Sequence, residues 1–190
     1  MEQKNLNSLE TQAIYLRLGQ YKDIFSDFDI RPYSVRALSV DFLDEIKRAS
    51  SGMGGDGVEI IFHIKERNEQ IEETIKERLA AHFERHFKLL LNEKHKVVGM
   101  GLVMVLLGVV SMIAATLILF GDTTKDMLTS FLIVFLEPAA WFLLWEGMDQ
   151  VIFNSKKINP ELNFYRKMSR SHKHIHFRDT DISSADESYI

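Results

Sequence analysis

Histidine is the residue type in this chain best placed to hold a metal ion. His82 and His86 stand one helical turn apart, and His172, His174 and His176 alternate along a segment with strand periodicity. Neutral imidazoles at either spacing chelate a divalent transition ion. His82, His86, His174 and His176 are therefore the candidate ligands, and a divalent metal is the one cofactor the sequence suggests. The helical pair does not match a zincin, in which Glu directly follows the first His; here Glu84 lies centrally between the two. The competing explanation is a solvated helix flank and a polar strand face.

Two further patterns carry weaker chemistry. Gly52-Met53-Gly54-Gly55-Asp56-Gly57 satisfies G-x-G-x-x-G by letter. A dinucleotide loop must follow a strand and open a helix, whereas here a helix precedes and a strand follows, so the glycines fit an αβ connection that needs positive φ. Nucleophilic catalysis lacks its parts, because the chain has no cysteine and no G-x-S-x-G. No enzymatic activity is expected. The net charge of -4 argues against nucleic acid, whose phosphates require a clustered Lys/Arg face.

Glu137 is the acidic residue in the most unusual setting. From Val97 to Phe120 there is no charged residue, enough to cross about 30 Å of hydrocarbon at helical rise. Met127 to Phe153 forms a second apolar run, interrupted by Glu137, Glu146 and Asp149. Glu146 and Asp149 fall at its end with Trp145, where headgroups begin. Glu137 lies ten residues beyond Met127, about 15 Å into the run. A carboxyl there is costly in lipid and should face protein or water. Pro138 beside it has no N–H to donate and should loosen the turn, freeing the Val134 carbonyl. Glu137, Pro138 and Trp141 are thus the candidate residues of an ion pathway or an interhelical contact. On the first run Gly101, Gly108 and Ala115 recur every seven residues with Ser111 close to the same stripe, a face that allows close helix packing in lipid.

The elements that must position these residues follow from periodicity. Residues 1–12 are polar, without the apolar stretch of a secretory signal, so insertion is expected to rely on the internal runs. Residues 13–96 read as an α+β domain. Ile14, Leu16 and Leu18 alternate as in a half-buried strand, as do Val58, Ile60, Phe62 and Ile64. Ser39 is placed to cap a helix carrying Phe42, Leu43 and Ile46. Ile71, Ile75, Leu79, Phe83, Phe87 and Leu91 recur every four residues, and no Gly or Pro intervenes before Gly99, so one long helix should continue into the first run. Residues 97–153 form a helical hairpin (97–120 and 127–153) about a polar turn at Gly121 to Asp126. Residues 154–178 are expected to return to the domain, the alternation from His172 to Phe177 supplying a further strand of the same sheet. Residues 179–190 read as a disordered acidic tail.

Eleven Lys/Arg flank the outer ends of the two runs within about 20 residues, against Lys125 alone in the connecting loop. Both termini should be cytoplasmic. The element order, the segment Arg31-Pro32-Tyr33-Ser34 with Arg36 beyond, the His82-Phe83 pair and Trp141-x-x-x-Trp145-x-x-x-Asp149 resemble an uncharacterised family of small bacterial two-span membrane proteins. That resemblance implies a bacterial plasma membrane and the domain-plus-hairpin layout, with no activity attached. The chain departs from the pattern at Glu146-Gly147, where Arg-Pro is usual. The expected function is a homo-oligomeric membrane scaffold or regulatory subunit displaying its α+β domain to a cytoplasmic protein partner. The alternative is an oligomeric ion channel with Glu137 in its path.

Overall fold

The computed structural model describes residues 13–53, 58–121 and 126–179. The expected flexible N-terminus, the centre of the glycine string, most of the polar turn and the acidic tail after Asp179 lie outside them. The chain divides into two compact units, one built from residues 1–87 and 163–190, the other from residues 88–162.

The first unit is organised by a three-stranded parallel sheet in the order β1 (Ala13–Arg17), β2 (Glu59–Ile64), β3 (Ile175–Asp179). Parallel neighbours need long crossovers. The helix α1 (Val40–Ala49) lies in the first; α2 (Glu69–Gly121), α3 (Met127–Asp149) and α4 (Ser155–Arg170) lie in the second. Register places Ile14 beside Ile60 and Leu16 beside Phe62, then Ile60 beside Ile175 and Phe62 beside Phe177. One face is therefore apolar across all three strands. Phe62 contacts Phe42 of α1 at 6.0 Å between ring centroids and Phe177 at 5.1 Å. Ile75, Leu79 and Phe83 of α2 are fully buried, as the four-residue spacing requires. Their burial contributes roughly 2 kcal/mol each.

Several local expectations change. Ser39 occupies the position before α1, but its side chain makes no capping bond. The strand expected over His172 to Phe177 begins only at Ile175, because Ser171–His174 form a 3₁₀ turn. In that turn the buried Ser171 accepts from the Val58 N–H at 2.9 Å and donates to the Lys167 carbonyl at 2.9 Å, tying the end of α4 to the start of β2. Gly52 takes φ +86°, the positive value expected of the glycine-rich connection.

The second unit carries two helices long and apolar enough to cross a membrane. Only 6% of the most apolar stretch of each is buried. Helix α2 is continuous over 53 residues, as anticipated. α3 remains helical through Pro138 and passes by a π turn (Gln150–Asn154) into α4. Asp126 accepts from the Met127 N–H at the start of α3.

Candidate interhelical face

Gly101 and Gly108 of α2 meet α3 within this unit. A β-carbon placed on Gly108 would come within 2.8 Å of Leu144 Cγ and 3.0 Å of the Ala140 carbonyl oxygen; one on Gly101 would reach the Gly147 carbonyl oxygen at 2.8 Å. Ala115 is buried and Ser111 half-buried along the same stripe. The small-residue face is thus consumed by the chain's own antiparallel hairpin. Gly108, near the midpoint of its apolar run, stands opposite Ala140, near the midpoint of the other.

Glu137 does not enter that seam. It lies three residues before Ala140, which places it about 60° round the helix and about 4.5 Å closer to the turn. It is exposed, and among the described residues no hydrogen bond or ion pair reaches it. Within one chain it therefore faces away from the hairpin's own contact. Ala140, Leu144 and Gly147 are the α3 residues that meet Gly101 and Gly108 of α2. Glu137 instead shares an outer stripe with Val134, Trp141, Trp145 and Met148, which are 71, 64, 59 and 45% exposed. The rings of Trp141 and Trp145 stack at 5.9 Å. Pro138 stands beside Glu137, also exposed.

The histidines separate. His82 and His86 come together on α2, their ring centroids 4.3 Å apart, and His86 stacks on Tyr165 at 5.1 Å. Desolvation pushes the His82 imidazole down to about 4, and the neighbouring His86, Arg78 and Arg85 add to that shift. Its Nε2 is buried and has no hydrogen-bond partner among the described residues. His174 sits in the 3₁₀ turn, exposed, while His176 on β3 approaches Glu59 at 3.6 Å. Among the described residues no three His, Cys, Asp or Glu side chains form a metal-binding group. The four-histidine ligand set is thus not assembled: the late start of β3 removes His174 from the strand, and His82 is packed among aromatic rings.

Two polar constellations escape the sequence reading. Glu72, only 3% exposed, accepts from the Tyr21 hydroxyl at 2.9 Å and from Arg67 Nε and Nη2 at 3.0 and 2.8 Å. The Arg67 hydrogen bonds hold its carboxyl below the ordinary range. Tyr21 in turn accepts from the Asn68 N–H at 2.8 Å, beside a cleft lined by Gly19, Gln20, Lys65 and Arg67. The signal was a glutamate next to Ile71 and Ile75 on the buried side of a helix. The second constellation lies in the loop between Phe25 and Leu38. Asp29 accepts from the Ala37 N–H at 2.7 Å and pairs with Arg31 at 2.8 Å; Arg36 donates to the Ser26 carbonyl, and Arg78 Nε donates to the Arg36 carbonyl at 2.9 Å. Tyr33 stacks on Phe25 at 5.0 Å. The loop so pinned holds Phe28 and Ile30 almost fully in solvent, 100 and 95% exposed.

No family model, curated protein or solved structure matches the chain. The resemblance noted above therefore rests on its quoted residues alone.

Proposed function

We propose that this chain is a homo-oligomeric integral membrane scaffold or regulatory subunit, spanning a bacterial plasma membrane twice and displaying its α+β domain on the cytoplasmic side. The observation that carries this reading is the hairpin itself. A long apolar helix in a soluble fold buries its surface in a core, yet α2 and α3 leave theirs bare on nearly every side except the glycine seam. Lipid accepts such surface. The distribution of Lys and Arg, eleven within about 20 residues of the outer ends of the runs against one between them, supports an orientation with both termini inside. The pinned loop offers Phe28 and Ile30 to a cytoplasmic protein partner, since large apolar side chains held rigidly in water are typical anchors of recognition.

Insertion and orientation are tested together. The protein should stay with the membrane fraction through alkaline carbonate washing. Single cysteines introduced at Ser8, Thr123 and Ser184 of this cysteine-free chain should react with an impermeant thiol reagent in intact cells at position 123 alone. Extraction by carbonate, or labelling at 8 or 184 with none at 123, contradicts the reading.

The channel alternative needs a continuous polar line at the level of Glu137. Its neighbours one turn away on the same stripe are Val134 and Trp141, both bulky and apolar. That arrangement favours a dry contact.

A further inference from the structure

We propose that a second copy of this chain packs against the stripe of α3 formed by Val134, Glu137, Trp141, Trp145 and Met148, so that the Glu137 carboxyls of the two copies become each other's hydrogen-bond partners. This inference rests on the membrane-spanning, homo-oligomeric reading and names the surface that reading requires. Three observations lead to it. Among the described residues Glu137 has no hydrogen bond or ion pair, and the α3 residues that meet Gly101 and Gly108 of α2 are Ala140, Leu144 and Gly147 instead. Ser111, at the same level on α2, makes no hydrogen bond to it among the described residues, and the hydroxyl of Thr116 is committed to the Met112 carbonyl at 2.9 Å. Neither apolar run contains a Lys or Arg to meet a carboxylate.

The partner's identity follows from symmetry. Copies inserted with the same orientation are related by an axis along the membrane normal, so any residue recurs at the same depth in each. The acidic group that symmetry brings level with Glu137 is therefore Glu137 of the other copy, and it offers a carboxyl where Ser111 offers a single hydroxyl. Two carboxyls suit each other: a protonated one donates and either form accepts, so a pair sharing one proton, or two neutral acids, is satisfied without a cation. Around that pair the two tryptophans and Met148 supply the wide apolar contact that a two-helix hairpin does not bury alone.

Disulfide formation in native membranes tests the face, since cysteines must approach within about 4 Å between β-carbons. Val134→Cys and Met148→Cys should cross-link at least about tenfold faster than Leu117→Cys on the outer side of α2 or Phe135→Cys on the back of α3. Glu137→Gln, which keeps a donor and an acceptor, should retain the dimer in lipid nanodiscs, and Glu137→Leu should reduce it. Cross-linking confined to positions 117 or 135, or a Glu137→Leu protein as dimeric as the wild type, overturns this face while leaving the oligomer standing. Wild-type protein that is monomeric in nanodiscs and cross-links nowhere removes the oligomeric reading along with it.

Discussion

A β-carbon on Gly147 would stand 2.7 Å from the Gly101 carbonyl oxygen, and one on Gly101 would stand 2.8 Å from the Gly147 carbonyl oxygen. The two backbones touch reciprocally, and neither position has room for a methyl group. Gly101→Val and Gly147→Val should each destabilise the hairpin by about 1–3 kcal/mol through overpacking. Gly99→Ala, with nothing within 4 Å of its new carbon, should be neutral or slightly stabilising. Thermal unfolding in detergent reads the difference. Equal melting temperatures for all of these variants would mean that the seam lies elsewhere.

His82 should make the protein acid-sensitive. Its imidazole titrates near 6.5 when unfolded and at about 4 when folded, so the unfolded chain binds more protons between those values. The stability it contributes is complete above about pH 6.5 and is lost as pH falls towards 4. His82→Phe, which suits the surrounding Phe83 and Tyr165 rings, should flatten the melting temperature against pH across that window. An unchanged slope would place the titration on another group.

Removing the Tyr21 hydroxyl leaves the Asn68 N–H without its acceptor and Glu72 one donor short. Tyr21→Phe should therefore cost about 1–2 kcal/mol. Glu72→Ala should cost more, since it strands both Tyr21 and Arg67. Denaturant midpoints for the two variants in that order support the network, and the reverse order contradicts it.

These networks mark where sequence reading stops. The four-residue spacing of Ile75, Leu79 and Phe83 and the alternation of Ile60, Phe62 and Ile64 revealed the domain, because helices and strands betray a buried face by period. The unbroken helix from Glu69 to Gly121 was legible from the lack of Gly and Pro before Gly99. Partners distant in the chain leave no such trace: Tyr21 meets Glu72 across 51 residues, and Gly101 meets Gly147 across 46. The small-residue stripe was visible, and either the second run or another copy could have filled it; the period alone does not choose between them, and α3 fills it. Ile61, placed by alternation on the outer side of β2, is 1% exposed.

Proteoliposomes carrying the wild-type chain should conduct protons and common cations no faster than empty vesicles, because Glu137 is flanked on its stripe by Val134 and Trp141 rather than by polar groups. A flux that falls sharply on Glu137→Gln while assembly persists would establish the channel instead.

Self-association within a bilayer is read from the mass of the intact protein released from lipid nanodiscs. That mass should be an integer multiple of the chain mass, two copies where the Glu137 faces pair, with Glu137→Leu shifting the population towards single chains. A wild-type protein found only as single chains, at concentrations where the hairpin remains folded, would contradict it.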